Sequence, residues 1–317
     1  MKKSLRKTVK TWSTPPQEEE RVLVPCVICG EKEFIAHFPS NGTNSLFAPL
    51  GNLAVPVFFN YVRCIRCGLV QINPQPSLEA VALRYNSNNA YLDYEKANEE
   101  KFLQLQQLAL HDAGFYEREQ ELFQAKDRHL DANPPSVLDI GSATGALLLT
   151  LKNRGWSAKG VEISVPQAEY SRKLGLDVKS LPLKENHFPS QSFDAVLASH
   201  VIEHLNDPFD FACEALRLLK PGGHFYVTTP NIKGFQAVFF GGRWRSAIFD
   251  HLYLFSGKTL CMLLEKAGFL VEQKKTWGGL AAGAAPPLLK RIFDKLAKPF
   301  GFGDVMIIRA AARGQFQ

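Results

Sequence analysis

From Ser136 onward, strand-like runs alternate with amphipathic segments, and this alternation narrows the fold more than any other feature of the chain. Runs rich in β-branched and aromatic residues are followed by segments with apolar residues at helical spacing. The predicted strands are 137–140, 158–163, 177–180, 193–199, 224–229, 269–275 and 304–311, and the predicted helices between them include 145–155, 165–175 and 208–219. Because parallel strands need helical crossovers, this order predicts an α/β domain over 134–317 with a seven-stranded, mostly parallel sheet covered on both faces.

Three zones precede this domain. The first ten residues carry five cations and no acid, namely Lys2, Lys3, Arg6, Lys7 and Lys10. Residues 1–20 are therefore predicted to be a disordered basic tail. Residues 21–76 are rich in Pro, Gly and Asn and contain four cysteines, which indicates a small module. Residues 77–133 indicate a helical connector, with Ser77 as an N-cap and a long helix from Tyr94 to Leu130, and "NPPS" at 133–136 ends it.

The composition is that of an ordinary globular protein, with 45% hydrophobic and 21% charged residues and a net charge of +6. No apolar stretch approaches the roughly 18 residues of a membrane span. The basic start continues into "TWSTPPQEEE" rather than into an apolar run, so no secretory signal is predicted. We therefore expect a cytoplasmic protein whose six cysteines are reduced.

The segment "VLDIGSATGALL" at 137–148 places a glycine-containing turn after the first predicted strand, where parallel sheets bind ligands. The dinucleotide pattern G-x-G-x-x-G is degraded, because Ala143 and Ala146 occupy its second and third glycine positions. The phosphate-loop pattern fails because no Gly-Lys-Ser/Thr follows. Asp139 would repel a pyrophosphate by roughly a few kcal/mol but would attract a cation. This acid favours S-adenosylmethionine, whose ammonium and sulfonium groups are positive, over NAD.

A second acid, Glu162, closes the next predicted strand in "GVEIS", 21 positions after Gly141. A carboxylate at this place can accept both ribose hydroxyls of a nucleoside. The ribose role fits NAD and S-adenosylmethionine equally. Glu162 therefore indicates a nucleoside cofactor, and Asp139 indicates which one.

Four segments resemble the successive motifs of class I S-adenosylmethionine-dependent methyltransferases, which have a Rossmann-like fold. In chain order they are "VLDIGSATG", "GVEIS", "LPLKENHFPSQSFDAVLASHVIEHLNDP" and "EALRLLKPGGHFYVTTPN". The resemblance covers residues 137 to about 231 densely. It implies that Asp139, Gly141 and Gly145 surround the methionine part, that Glu162 holds the ribose, and that "KSLPL" borders the adenine. The other predicted cofactor contacts are Ser142, Ile163, Ser180, Leu181 and Ser199. Ala143 stands where the family usually has glycine.

The cysteines form the pattern C-x2-C-x34-C-x2-C, and each pair, "CVICG" and "CIRCG", ends in glycine. Glycine suits a knuckle in which backbone N–H groups point at thiolates, and four thiolates can hold a structural zinc ion. The predicted zinc ligands are Cys26, Cys29, Cys64 and Cys67. Two redox pairs are the alternative, although neither opens a helix of a thioredoxin-like unit. Residues 30–63 are poor in Lys and Arg, so nucleic-acid binding is not expected.

The cysteine module and its continuation "RCIRCGLVQINPQPSLEAVALRY" resemble a methyltransferase subgroup in which a four-cysteine module precedes the catalytic domain. That resemblance implies acceptors from sugar, polysaccharide and natural-product pathways. In "GGRWRSAIFDH" at 241–251, Arg243 and Arg245 could form an anion clamp with Trp244 as a sugar-stacking face. The alternative is that the arginines are solvated and that Trp244 packs in the interior. An amphipathic basic helix at 286–301 packs on the sheet or, alternatively, contacts a membrane surface.

The segment "SHVIEHLNDP" follows the fourth predicted strand and would place His200, Glu203 and His204 on one helical face. His251 and Tyr253 follow a long insertion after the fifth strand, a natural place for a substrate lid. Three interpretations stay open. A histidine is the general base of methyl transfer, the group binds a transition metal or zinc, or Glu203 and His204 only orient neighbouring backbone.

Together these patterns predict an enzyme that transfers a methyl group to an oxygen or carbon atom of a small, sugar- or glycan-related acceptor. One alternative is a metal-assisted O-methyltransferase acting on a quinone or lipid precursor or on an RNA end, because "HVIEH" resembles the E-x-x-E-H of such enzymes. A second is a non-catalytic zinc-ribbon protein that binds the cofactor. A third, an NAD-dependent oxidoreductase, would tolerate loss of Asp139.

Overall fold

The computed structural model describes residues 21–39, 60–77, 90–129, 133–278 and 301–312. The strands are β1 (Arg21–Val22), β2 (Phe34–Pro39), β3 (Asn60–Cys64), β4 (Val70–Ile72), β5 (Gln75–Pro76), β6 (Ser136–Ile140), β7 (Ser157–Val161), β8 (Asp177–Lys179), β9 (Phe193–Ser199), β10 (Leu219–Pro230), β11 (Tyr253–Leu254), β12 (Phe269–Trp277) and β13 (Val305–Ala312). The helices are α1 (Ala90–Asp112), α2 (Phe115–His129), α3 (Ala146–Asn153), α4 (Val165–Lys173), α5 (Pro208–Leu218), α6 (Phe235–Phe240) and α7 (Gly257–Ala267). The predicted basic tail, the helix after Ser77 and residues 286–300 of the amphipathic helix predicted at 286–301 lie outside the described residues.

Seven strands form the central sheet in the order β12-β13-β10-β9-β6-β7-β8. Neighbouring strands from β10 to β8 pair in parallel, and β13 is antiparallel to both β10 and β12. The predicted seven-stranded, mostly parallel, Rossmann-like sheet is confirmed. The carboxyl ends of β6, β7 and β9 lie side by side, so the residues that follow these strands share one edge of the sheet.

The two faces of the sheet bury different residues because side chains alternate along a strand. One face carries Leu138, Val196 and Phe225 and packs against α5 and α7. The other carries Val137, Leu197 and Tyr226 and packs against residues of α1, α2 and α3. Each fully buried aliphatic side chain contributes about 1.5–3 kcal/mol. Residues of the connector helices therefore pack directly on the central sheet.

The segment predicted as helical from Tyr94 to Leu130 is helical over most of its described length, but it is divided. The structure has two helices, α1 and α2, because Gly114 adopts φ +73° and interrupts the helical backbone. A Cβ at Gly114 would lie 2.6 Å from Nη1 of Arg309, whose guanidinium donates to the carbonyl of Ala113. The turn is thus held against β13, and Phe115 begins α2 in the core.

The cysteine-containing segment forms a small antiparallel sheet in the order β11-β4-β3-β2. Its outer strand β11 comes from the insertion after β10, so the N-terminal segment and the insertion share one sheet. The Tyr61 hydroxyl is buried and donates to the carbonyls of Ile248 and His251, at 2.8 and 2.9 Å. The insertion is therefore packed on this module. In the described part of the chain, no helix combines the length and apolarity that crossing a bilayer requires.

Candidate active site

The glycine turn follows β6 and leads into α3. Gly141 and Gly145 have φ +74° and +82°, a region that side chains with a Cβ rarely adopt. A Cβ at Gly141 would collide with Cγ2 of Val201, and one at Gly145 would lie 2.5 Å from Cδ1 of Leu176. Both positions therefore need glycine for conformation and for space. The Gly141 contact also places the segment after β9 directly against the turn.

Ala143 has φ +48°, so an alanine occupies a left-handed conformation where the family pattern has glycine. That conformation costs a residue with a Cβ roughly 1–2 kcal/mol. We expect Ala143→Gly to raise the free energy of unfolding by about 0.5–1 kcal/mol, measured by denaturant titration. Ala146→Gly, in the first turn of α3, is the matched control and should lower it by a similar amount. An Ala143→Gly protein less stable than wild type would show that this conformation is not strained.

Asp139 lies on β6 and is 2% exposed. Burial, together with the nearby charge of Glu162, raises its pKa to about 7. Among the described residues, no hydrogen-bond donor and no Lys, Arg or His side chain pairs with its carboxylate. A buried carboxylate without a counter-charge is unfavourable unless a cation or a donor is supplied.

Glu162, just after β7, is held by the backbone. Its Oε2 accepts from the N–H of Ala143 at 2.9 Å and its Oε1 from the N–H of Ser164 at 2.8 Å. Burial nevertheless raises its pKa, against the lowering effect of these two hydrogen bonds. Each carboxylate oxygen keeps a second lone pair for another donor. The carboxylate is thus fixed in orientation and can still bind a pair of hydroxyls.

The predicted adenine-side residues lie after β7 and β8. Ile163 and Leu181 are 37% and 49% exposed, so their apolar side chains are available at the surface. Ser180 accepts a hydrogen bond from Nη2 of Arg172 at 2.9 Å. Ser142 is buried and its hydroxyl has no partner among the described residues. Ser199 ends β9, beside Thr228 of β10.

His200 begins the segment after β9, with φ +55°. The predicted helical face is wrong, because only residues 202–204 are helical and they form a single 3-10 turn. His204 contacts the insertion, with its Nδ1 2.9 Å from the carbonyl of Asp250. His200 and Glu203 are nevertheless in contact, since Nδ1 of His200 lies 3.1 Å from Oε1 of Glu203. A carboxylate only accepts, so this ring nitrogen carries the proton. The His200 side chain is 46% exposed.

Glu203 is fully buried, and its second oxygen accepts from the hydroxyl of Thr229 at 2.9 Å. Burial alone would raise its pKa. The His200 hydrogen bond and the charges of His200, His204 and His251 outweigh burial and lower the pKa to about 2. Glu203 is therefore an ionised carboxylate in the protein interior, and it is surrounded by imidazoles.

Two further imidazoles face Glu203. Nδ1 of His204 lies 2.9 Å from the carbonyl of Asp250, and Nδ1 of His251 lies 2.8 Å from the carbonyl of Ser246. The ring centroids are 4.7 Å apart at 80°. Burial lowers the pKa of both histidines, that of His251 to about 3. Glu203, His204 and His251 each present one ligand atom, and these atoms all lie within 4.8 Å of one another.

The insertion contains the remaining predicted acceptor-site residues. Trp244 is 1% exposed and its Nε1 donates to Asp304 at 2.6 Å, so the predicted sugar-stacking face is wrong. Arg245 also binds Asp304, with Nε 2.7 Å from the carboxylate, whereas Arg243 is exposed. Tyr253 is buried in β11, and its hydroxyl donates to the carbonyl of Asn206 at 3.0 Å. Burial raises the pKa of Tyr253 well above its ordinary value.

Sequence reasoning missed three contributors to this site. Thr229 orients Glu203 from β10, Val201 packs on the glycine turn, and Gln106 of α1 lines a small recess with Ser199 and Thr228. No local motif marks these residues. Only the predicted adjacency of β9 and β10 could have indicated Thr229, because parallel neighbours present their carboxyl ends together.

The four cysteines converge at the module's end. The Sγ atoms of Cys26 and Cys67 are 3.4 Å apart, those of Cys29 and Cys64 are 3.5 Å apart, and all four lie within 4.8 Å. Each pair is closed by a turn in which a glycine N–H donates to the first cysteine's carbonyl, with φ +73° at Gly30 and +81° at Gly68. The predicted knuckle conformation is confirmed.

A family model described as a methyltransferase domain matches residues 115–274, half of the chain, from α2 through β12. The chain belongs to this methyltransferase family. The match contains the glycine turn, Glu162 and the histidine cluster, and it starts inside the connector, in agreement with the packing of α2 on the sheet.

Curated relatives of this methyltransferase match over its central part. A "Probable S-adenosylmethionine-dependent methyltransferase" of Mycolicibacterium smegmatis is 39% identical over 106 residues, which are 33% of this chain and 38% of that protein. A "Ubiquinone biosynthesis O-methyltransferase" of Caulobacter vibrioides is 33% identical over 103 residues, 30% of this chain and 41% of that protein. The chain thus spans about two fifths of these relatives. A solved SAM-dependent methyltransferase of Thermotoga maritima has a TM-score of 0.48 at 22% identity and covers 71% of this chain and 100% of its own.

Proposed function

We propose that this methyltransferase transfers the methyl group of S-adenosylmethionine to an oxygen or carbon atom of a small-molecule acceptor. The observation that carries the proposal is the pair of buried carboxylates, Asp139 and Glu162, at the glycine turn with no cationic side chain beside them in the described residues. Such a pair repels phosphates and favours a ligand that brings positive charge and hydroxyl donors.

The residues present fit this cofactor. Asp139 would pair with its ammonium, Glu162 would accept from its ribose hydroxyls, and the glycines would let backbone approach it without a Cβ. Ile163 and Leu181 offer apolar contacts for the adenine, with Ser142, Ser180 and Ser199 nearby. When bound, the cofactor supplies an electrophilic methyl group. The chain's part is to hold the acceptor in line with that group, since positioning supplies most of the acceleration in such displacements.

We assign His200 as the group that takes the acceptor's proton. Its Nδ1–H donates to the buried, ionised Glu203, which leaves the lone pair of Nε2 available on a half-exposed ring. Glu203, itself held by Thr229, is the positioning residue: it fixes the ring and stabilises the imidazolium that forms. In this arrangement a buried carboxylate orients the histidine that acts as the base. Tyr253, whose hydroxyl is committed to a backbone carbonyl, receives no role in proton transfer.

Replacing His200 should separate binding from turnover. We expect His200→Gln to lower kcat by about 10²- to 10⁴-fold and to leave the Kd for S-adenosylmethionine unchanged, because the base acts on the acceptor rather than on the cofactor. Both are measured on the same preparation, by labelled methyl transfer and by calorimetry. His111→Gln, on the exposed end of α1, is the control. Full turnover in the His200 variant would remove this residue from the mechanism.

We propose that the four cysteines bind a structural zinc ion. Four thiolates around zinc at about 2.3 Å lie about 3.8 Å from one another, close to the separations in this cluster. The two knuckle turns already orient the sulfur atoms. A zinc ion here would join the hairpin β3–β4 to the segment before β2 and would stabilise a module of short strands, whose buried residues share the core on one face of the central sheet.

We propose two classes of acceptor, which a screen of methyl transfer can distinguish. A sugar- or glycan-related acceptor rests on the resemblance of the cysteine module to enzymes of that kind, although the burial of Trp244 removes one supporting feature. A quinone precursor is favoured by a relative named as a ubiquinone biosynthesis O-methyltransferase. The half-exposed His200 ring offers a proton acceptor to a hydroxyl of either class.

The experiment that tests the function is a screen of the full chain with methyl-labelled S-adenosylmethionine against nucleotide sugars and against hydroxylated polyprenyl-benzoate and quinol precursors. We expect labelled product from one of these classes, together with binding of both S-adenosylmethionine and its demethylated product. Binding of NAD in place of S-adenosylmethionine would overturn the proposal.

A further inference from the structure

We propose that the side-chain amide of Gln167 binds the polar edge of the adenine base of S-adenosylmethionine, an inference that rests on the cofactor proposed above. Gln167 lies in the first turn of α4, the helix that follows Glu162. Its side chain is 0% exposed, and neither the amide oxygen nor the amide nitrogen has a hydrogen-bond partner in the described part of the chain. Because buried polar groups are nearly always hydrogen-bonded, this amide indicates a partner that the chain itself does not supply.

The buried face of α4 places Gln167 beside the cofactor turn. Ser164, Gln167 and Ser171 follow one another at helical spacing on this face, and all three are buried. The N–H of Ser164 donates to Oε1 of Glu162 at 2.8 Å. One turn after Gln167, the hydroxyl of Ser171 donates to the carbonyl of Ala143 at 3.0 Å. On this face Gln167 therefore lies between the acid assigned to the ribose and the glycine turn.

The start of α4 does not use the amide of Gln167. Ser164 is the N-cap and Gln167 is the third residue of the helix. In a capping box, the glutamine at this position accepts from the N–H of the N-cap residue. Here Glu162 accepts from that N–H instead, and the Ser164 side chain makes no capping hydrogen bond. The capping contact is thus made by the cofactor-site acid, and the amide remains available to a ligand.

A second buried polar group at the same place also lacks a partner. The hydroxyl of Ser142 is buried and has no hydrogen-bond partner within the described ranges. Ser142 directly precedes Ala143, whose N–H donates to Oε2 of Glu162 at 2.9 Å. Unpartnered polar groups are therefore found on both segments that hold this carboxylate, the glycine turn and α4. Their common location favours a polar ligand over an isolated defect of packing.

The chemistry of an amide matches that of adenine. A glutamine amide presents an acceptor beside a donor, and adenine presents its amino group beside a ring nitrogen that accepts. The segment expected to border the base, 179–183, contains no carboxylate that could accept from the amino group. Within it, the hydroxyl of Ser180 already accepts from Arg172. Since Glu162 is assigned to the ribose, the base is the polar part of the nucleoside that Gln167 would recognise.

The test compares two ligands by calorimetric titration of the full chain. One is the demethylated cofactor, and the other is its analogue with purine in place of adenine, which lacks the amino group. We expect wild type to bind the analogue about 10-fold more weakly, because the amide oxygen loses its donor. Gln167→Met keeps the length of the side chain without the amide. It should bind the adenine ligand about 10-fold more weakly than wild type and should not distinguish the two ligands.

The matched control is Gln120→Met, on the exposed side of α2, which should keep both wild-type Kd values. The Tm of the ligand-free proteins shows whether Gln167→Met acts through folding. Methionine buries no unpartnered polar group, so this Tm should equal or exceed that of wild type. A markedly lower Tm would mean that the amide has a partner within the protein, which contradicts the inference.

Equal affinity of wild type for the two ligands would overturn the assignment, and this comparison needs no variant. A Gln167→Met protein that keeps the wild-type preference for adenine would overturn it as well, because the preference would then come from another group. Wild type that binds neither ligand would instead refute the proposed cofactor. Failure of the inference and failure of the proposed function are therefore distinguishable.

Discussion

Replacing Asp139 by asparagine is expected to abolish most S-adenosylmethionine binding and, at the same time, to stabilise the ligand-free protein. Asparagine has nearly the same shape but cannot pair with an ammonium group. Loss of one partner of a buried charge pair costs about 2–5 kcal/mol, so Kd should rise between about 30-fold and several thousand-fold. Calorimetric titration of both proteins measures the change.

The gain in stability has a defined pH dependence. The pKa of Asp139 is raised from 3.8 to about 7 in the folded protein, so the folded state binds a proton more tightly than the unfolded state. Wild type therefore loses stability as pH rises through this interval, and the loss is complete above the folded pKa. The asparagine side chain of the variant carries no charge and avoids the loss, which is on the order of a few kcal/mol. We expect equal Tm values near pH 4 and a higher Tm for Asp139→Asn at pH 8.

The matched control for this experiment is Asp177→Asn. Asp177 begins β8, is exposed, and pairs with Lys159 at 2.9 Å. An exposed pair of this kind contributes about 0–1 kcal/mol, so the control should leave both Tm and cofactor affinity close to wild type. If Asp139→Asn bound the cofactor as tightly as wild type, the role assigned to the buried acids would be refuted.

Removal of the cysteine cluster is expected to eliminate methyl transfer while cofactor binding persists. In the double variant Cys64→Ser/Cys67→Ser the proposed zinc ion loses half of its ligands. Structural zinc sites contribute on the order of 10 kcal/mol of binding energy that is coupled to folding, so the module should unfold. The module is bound to the insertion through β11 and Tyr61, and the insertion carries His251. The cofactor turn follows β6 of the central sheet and makes none of these contacts, so we expect the turn to persist when the module unfolds.

Limited proteolysis and calorimetry measure the two consequences on one preparation. We expect new cleavage between residues 21 and 77, loss of turnover, and a Kd for S-adenosylmethionine within about twofold of wild type. Cys213→Ser, on α5 and away from the cluster, is the control and should change neither. An intact, active double variant would show that the cysteines do not stabilise the module through a metal.

The sheet and the cofactor turn could be predicted from the sequence because their signals are local. Buried parallel strands are continuous apolar runs, and the turn requires glycine at particular positions, as Gly141 and Gly145 confirm. The two cysteine knuckles follow from the same kind of rule, since Gly30 and Gly68 are needed after the second cysteine. In each case the type of residue indicates the backbone conformation or the burial at its own position.

The predictions that differ from the structure depend on contacts between segments that are distant in sequence. Gly114 was compatible with a helix interior, and only its packing against Arg309 of β13 explains the break between α1 and α2. Trp244 and Arg245 resembled an exposed binding motif, but Asp304, about 60 residues later in the chain, holds both. The sequence also could not show that β11 joins the cysteine module, because a two-residue strand has no pattern of its own.

The histidine cluster combines a contact between residues close in sequence with a contact between separate segments. His200 and Glu203 are in contact beside a 3-10 turn, rather than on the helical face that their spacing predicted. The approach of His251 to His204 depends on how the insertion folds back over the module, which no spacing indicates. A cluster assembled from separate segments is visible only in the folded chain.

The most direct test of the central claim is a crystal structure of the full chain with S-adenosylmethionine. We expect the methionine ammonium within hydrogen-bond distance of the Asp139 carboxylate and the ribose hydroxyls against Glu162, with the methyl group directed toward the segment that begins at His200. A cofactor bound elsewhere on the protein, or a nucleotide diphosphate occupying the space beside Asp139, would contradict it.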